Sequence, residues 1–390
     1  MRTDFYFFHL MPWPHLPADF DTRYHSAWVD FPNSYFDPER GHGLYNDYLE
    51  QLVAAERLGF DGVCVNEHYQ NAYGLMPAPN IIASMLVART RRVKIALVGN
   101  ALPLRDHPMR VAEEVAMMDV ISGGRIISAF VRGIGAEYHS FSMNPTYSRE
   151  RFLEAHDLII RAWTEPGPFR FEGKHYRLRH VNLWPRPLQR PHPPIWIPSQ
   201  GSAESIEWAA QMRYPLVLVY SALQTVRTRM EQYRAAAEAA GYTPAPSQFG
   251  WMAPVYIAET EAEALAKTER HILWLFHRGL KMPQHYFFPP GYLTERSQLA
   301  VGGRKHFSQY SFREFLAEGW AIVGTPESVA NQLGERLREL NCGLFLALLQ
   351  IGPMTHWETL RNLELFGREV IPALRGRAPA PAPTGGPSVP

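Results

Sequence analysis

Cysteine is nearly absent from this chain of 390 residues: there are two, Cys64 and Cys342, far apart, the first inside an apolar run. They offer no cysteine metal site and suit a reducing, cytoplasmic setting. An excess of either charge is missing too. Lys and Arg number 39 against 38 Asp and Glu, interspersed without blocks, so neither a nucleic-acid partner nor an anionic membrane surface is expected. The 16 histidines include no His-x-His pair and no His-Glu-x-x-His, which leaves a metal hydrolase little to stand on. Long apolar runs are also lacking. Stretches such as 343–349 are too short to span a bilayer. At the amino end Arg2, Asp4, His9, Pro12 and Pro14 make a poor secretory signal.

What is present is an alternation of short apolar runs with helical segments. Val93–Asn100 and Arg125–Arg132 read as parallel strands covered on both faces, and Pro108–Ile121 between them reads as a helix with Asp106 as its cap. Further strands are expected at 4–9, 62–66, 195–198, 215–219, 250–258 and 344–349, with helices at 45–58, 79–90, 148–163, 202–212, 223–240, 325 onward and 357–370. Phe169–Leu183 alternates around Gly173-Lys174 like a hairpin outside the main sheet. This pattern predicts an α/β fold, a (β/α)8 TIM barrel with inserted loops at its carboxyl rim, with an open doubly wound sheet as the alternative. One domain over 1–374 is expected, followed by a Pro/Ala/Gly-rich disordered tail at 375–390. Two insertions stand out. The aromatic segment 10–43 reads equally as a pocket wall or as packing over the barrel end, and 281–311 reads as an inserted loop. The helix at 79–90 is apolar over more of its surface than an exposed helix should be, which suits a subunit contact.

Barrel enzymes place their chemistry at the carboxyl ends of strands. Glu67 and His68 follow the second strand there, and a loop ion pair or a capped histidine is the alternative reading. Arg132-Gly133-Ile134-Gly135 starts like a dinucleotide fingerprint, but Tyr138 stands where the third glycine belongs, so it fails as one. Arg132 itself needs an anion or carboxylate partner at a barrel mouth, and a phosphate suits it. Gly201-Ser202-Ala203-Glu204-Ser205 at a helix start offers backbone N–H groups and two hydroxyls to such an anion, while ordinary capping by Ser202 is the plainer alternative.

Four blocks in order then resemble one family. They are Leu58–His68 (LGFDGVCVNEH), Val98–Pro108 (VGNALPLRDHP) with Ala112–Val115, Asp119–Arg125 through Phe130–Gly133, and Gly201-Ser202 through Glu207–Ala210. The chain resembles the flavin-dependent bacterial luciferase-like monooxygenases from its first strand to its last helix. The resemblance implies a barrel with FMN bound non-covalently at the carboxyl rim, as a homodimer formed through the helices after strands two and three. It assigns His68 as the histidine that works beside the flavin and Glu67 as a support near the ring. It places Val98, Gly99 and Asn100 at a bulged strand end against the flavin, a place that often contains a non-proline cis peptide. Arg132, Ser202 and Ser205 match phosphate ligands, with Gly201 allowing close backbone approach. Tyr69 stands where luciferase has a second histidine, which argues against light emission.

The function implied is a two-component monooxygenase. Reduced FMN from a separate flavin reductase and O2 would oxygenate an apolar small-molecule organic substrate, by hydroxylation or by Baeyer–Villiger insertion. A deazaflavin-dependent hydride transferase and a flavin-binding paralogue without turnover are the competing readings.

Overall fold

The computed structural model describes residues 2–301 and 305–376. In chain order its strands are β1 (Asp4–Phe8), β2 (Gly62–Val65), β3 (Lys94–Ala101), β4 (Ile126–Val131), β5 (Phe169–Glu172), β6 (Arg177–Val181), β7 (Ile195–Ser199), β8 (Leu216–Leu218), β9 (Phe249–Ile257), β10 (Ile322–Gly324) and β11 (Leu344–Leu348). The ladder runs β1-β2-β3-β4-β7-β8-β9-β11 and returns to β1. All these pairings are parallel, so eight strands close a barrel. A parallel barrel buries both faces of every strand, which is why the segments read as unbroken apolar runs. Along β4, Ile127 and Ala129 join Tyr6, Phe8, Cys64 and Trp196 in the cluster that fills the barrel. Ile126 and Phe130 alternate with them and pack in the cluster shared with the helices.

The expected hairpin is β5 with β6, antiparallel and outside the barrel. The three-residue β10 was not expected. It pairs with the last residues of β9 beyond the barrel wall, and three residues between two helices carry too little periodicity to announce a strand.

Helix boundaries show where local chemistry was misread. The helix after β3 spans Met109–Ser122 with Pro108 at its N-cap and no side-chain cap, so Asp106 is not the cap expected of it. The helix before β2 starts at Pro38, well ahead of the expected Tyr45, because the Asp37 side chain accepts from the N–H groups of Glu39 and Arg40 and Pro38 suits the first turn. The segment 10–43 also holds a turn of helix at Phe20–Arg23, and 281–311 carries helices Gln284–Phe287 and Glu295–Val301 instead of a plain loop. Of the tail expected at 375–390, residues 377–390 lie outside the described residues. Arg375 ion-pairs with Asp61 at the amino end of the barrel.

Candidate active site

The carboxyl ends of β2, β3, β4, β7 and β8 open onto one cavity of about 350 Å³. Its floor is apolar, from Phe8, Val98 and Ile197, and its roof comes from the 281–311 insertion through Phe287, Phe288 and Tyr292. The aromatic segment 10–43 packs over the barrel end and supplies none of the lining side chains, although Trp28 lies edge-on to His68 at 4.9 Å.

One sector is built for an anion. Arg132, Arg149, Arg229 and Arg296 all line it. Arg132 donates to the Tyr292 carbonyl (3.1 Å) and to Ser148 Oγ (3.3 Å), and its guanidinium lies 4.4 Å over the Tyr292 ring. Burial and the nearby Arg132 charge both lower the pKa of Arg149. Beside them the helix Ala203–Gln211, whose Glu204 carbonyl accepts from Arg149 at 3.0 Å and whose Glu207 pairs with Arg296, starts with Ser202 at its N-cap, whose hydroxyl makes no capping bond and donates instead to Ser205 Oγ at 2.7 Å. The plainer capping role therefore does not hold, and the helix start keeps backbone donors for a ligand. Gly201 has φ of +96°, and a Cβ there would lie 2.9 Å from Arg229 Cγ. Only glycine lets the turn and Arg229 come so close.

The other sector carries a histidine. His68 Nδ1 lies 3.0 Å from Glu137 Oε1, and Glu137 Oε2 accepts from the Ile134 N–H at 2.7 Å. A buried carboxylate held at both oxygens accepts the Nδ1 proton and fixes the ring, which leaves Nε2 as the nitrogen without a protein partner among the described residues. Gly133 (φ +82°) makes this possible, because a Cβ there would sit 2.9 Å from Glu137 Oε2. Glu67, next to His68, ion-pairs with Arg105 and accepts from the Ala101 N–H at 3.3 Å. Burial pushes its carboxyl up to about 8, with Arg105 pulling the other way.

The model of the luciferase-like monooxygenase family matches residues 33–341. The chain belongs to that family. It is 25% identical over 366 residues to 2,5-diketocamphane 1,2-monooxygenase 1 of Pseudomonas putida, covering 85% of this chain and 94% of that one. An uncharacterized Sinorhizobium fredii protein, y4wF, is 36% identical over 176 residues, which is 44% of this chain and 51% of its own length. Among solved structures, the monooxygenase RslO1 from Streptomyces bottropensis superposes with a TM-score of 0.72 at 27% identity, covering 95% of this chain and 99% of that one. The oxygenating constituent of 3,6-diketocamphane monooxygenase from Pseudomonas putida, a type II Baeyer-Villiger monooxygenase solved in complex with FMN, gives 0.71 at 20% identity, covering 95% and 98%.

In this luciferase-like monooxygenase, Glu67, His68, Val98, Gly99, Arg132, Gly201, Ser202 and Ser205 line the one cavity together. The Val98–Gly99 peptide is cis. Asn100 is the exception. It follows Gly99 on the opposite face of β3, where it is fully buried and donates to Asn80 Oδ1 at 3.2 Å, away from the cavity. The β3 register shifts between Leu97 and Asn100, so Val98 and Gly99 both reach the cavity and Asn100 turns away from it. The sequence reading missed Arg149, Arg229 and Arg296, which sit on helices with nothing local to mark them. It also missed Glu137, although that residue lies within the stretch already set aside as a failed dinucleotide motif. Asn66, one residue before Glu67, also lines the cavity, and its Oδ1 is buried without a partner among the described residues.

Proposed function

We propose that this chain is the oxygenase component of a two-component flavin monooxygenase, using reduced FMN and O2 to oxygenate an apolar organic molecule. The observation that carries this reading is the pairing, within one cavity, of a four-guanidinium anion cradle with a carboxylate-anchored histidine. The residues fit the cofactor. The Gly201 turn, whose approach to Arg229 a Cβ would block, and the hydroxyls of Ser202 and Ser205 suit a phosphate. The unpartnered Asn66 Oδ1 and the neighbouring Glu67 offer polar contacts to a ring lying across Val98 and Gly99. Reduced flavin, when bound, supplies the electrons that activate O2. The protein's own part is to hold the phosphate with Arg132, Ser202 and Ser205, to keep Nε2 of His68 available for a proton, and to exclude water with Phe287, Phe288 and Tyr292. A separate reductase supplies the reduced cofactor, a reading supported by the similar 3,6-diketocamphane protein being named an oxygenating constituent.

The chain works as a cytoplasmic homodimer. Ile81, Met85, Met117, Val120 and Ile121 are exposed on the adjoining helices Pro79–Arg89 and Met109–Ser122, and a second copy of the chain would cover this apolar face. No helix among the described residues is long and apolar enough to cross a membrane.

A deazaflavin-dependent hydride transferase is the second reading. An F420-dependent secondary alcohol dehydrogenase shares the fold at a TM-score of 0.68 and 19% identity, so the barrel alone does not choose between them. The test is O2 consumption and product formation with reduced FMN in air, read by mass spectrometry over a panel of organic compounds. O2 uptake matched by a product heavier by one oxygen supports the oxygenase. Substrate-dependent reduction of deazaflavin without O2 uptake would replace it with the hydride transferase.

A further inference from the structure

Tyr220 leaves β8 at the carboxyl rim with φ of +47°, a backbone region that a bulky residue occupies only when its surroundings impose it. Its ring lines the same cavity as His68 and Tyr73. Tyr73 is fixed in place. Trp28 stacks on it at 4.8 Å, His68 meets it edge-on at 5.1 Å, and a Cβ at Gly279 would come within 3.3 Å of it. Held there, the Tyr73 hydroxyl donates to the Tyr220 oxygen at 2.6 Å.

A phenol has one proton to donate. That of Tyr73 is committed to Tyr220, so the O–H of Tyr220 has no protein acceptor among the described residues. Burial pushes both phenols up, and each remains a neutral donor. Both phenols belong to the apolar cluster that also holds Val219, Leu280 and Phe287, and the Phe276 ring meets Tyr220 edge-on at 6.3 Å. A single donor in apolar walls is costly unless a ligand satisfies it. The partner it suits is an oxygen that carries lone pairs and no proton.

We propose that Tyr220, oriented by Tyr73, is the substrate-fixing residue of this enzyme, donating its O–H to the carbonyl oxygen of an otherwise apolar ketone held beside His68. The proposal rests on the oxygenase reading for the identity of the reaction, but it concerns binding and stands or falls separately.

Equilibrium binding to the protein loaded with oxidised FMN tests it. The probes are three ketones with their methylene counterparts: cyclohexanone and cyclohexane, 2-norbornanone and norbornane, acetophenone and ethylbenzene. In the best pair the ketone binds about tenfold tighter than its counterpart, the worth of one well-placed hydrogen bond. In Tyr220→Phe that advantage falls to about twofold or less, and Tyr73→Phe, which frees the Tyr220 hydroxyl to rotate, gives an intermediate loss. FMN affinity stays at the wild-type value in both variants, which also shows that they fold. Equal binding within all three pairs, or an advantage that survives Tyr220→Phe, overturns the proposal. Failure of the wild-type protein to take up FMN would count against the oxygenase reading instead. The same pairs measured on the unloaded protein then still decide the role of Tyr220.

Discussion

Burial first, and then the nearby Arg132 charge, lower the pKa of Arg149, so an anion reaching both guanidiniums would be favoured, while Arg296 is already paired with Glu207 at 2.8 Å. Arg132→Ala should therefore weaken FMN binding by roughly 10- to 100-fold, the worth of a charged hydrogen bond, and leave riboflavin binding within about threefold. Equal losses for the two flavins, measured by fluorescence titration, would show that Arg132 does not reach the phosphate. At the other sector the effects should divide differently. His68→Ala should leave FMN affinity intact and cut product formation by about 10²- to 10⁴-fold, the usual contribution of one acid–base group. Glu137→Gln keeps an acceptor for the Nδ1 proton but removes the charge that stabilises the protonated ring. It should cost part of the His68 effect, about tenfold, again without moving FMN affinity. Single-turnover product yield checks both, and an unchanged yield in His68→Ala would remove the histidine from the chemistry.

Among the elements, the helices Pro79–Arg89 and Met109–Ser122 carry the clearest unfinished surface. Ile121 is 65% exposed and Ile81 59% exposed. If these helices form the proposed homodimer contact, replacing both with Lys should give monomer at micromolar concentration, because burying an unpaired charge there outweighs the lost apolar contact. Sedimentation velocity reads the outcome, and an unchanged mass would place the subunit contact elsewhere. The same two helices show what a sequence reveals. Apolar runs buried on both faces made all eight barrel strands legible, and Gly or Pro punctuation marked most helices. Elements whose cause is tertiary were not legible. β10 exists because the end of β9 offers it an edge. The roof helices are set by contacts such as that of Gly135, where a Cβ would lie 2.4 Å from the Tyr286 carbonyl. The site divides along the same line. Residues at strand ends, such as His68 and Arg132, announce themselves by position, whereas Glu137 becomes informative only once the turn at Gly133 brings its carboxylate to His68.

For the whole molecule, stability should be sensitive to acid through three buried histidines outside the site. Burial pushes His9, His156 and His271 down to about 4 from an ordinary value of 6.5. His9 is committed to the neutral form, since its Nδ1 accepts from the Met11 N–H at 2.9 Å and its Nε2 must then donate to Gln51 Oε1 at 2.8 Å. The unfolded chain takes up protons on these rings as the pH falls below about 6.5, while the folded chain refuses them until about 4. The unfolded state therefore binds more protons throughout that window. The stability from the neutral rings is complete above pH 6.5 and is lost as the pH falls toward 4, by up to about 1.4 kcal/mol per pH unit for each ring. His9→Gln, which keeps a donor for Gln51, should lower the slope of unfolding free energy against pH by about one proton between pH 4.5 and 6, whatever it does to the absolute stability. Urea midpoints across that range measure the slope. If it is the same in wild type and His9→Gln, then His9 titrates alike in the folded and unfolded chains, and the acid sensitivity must come from carboxylates held low in the folded state, such as Glu314 with its bonds to Lys305 and Ser311.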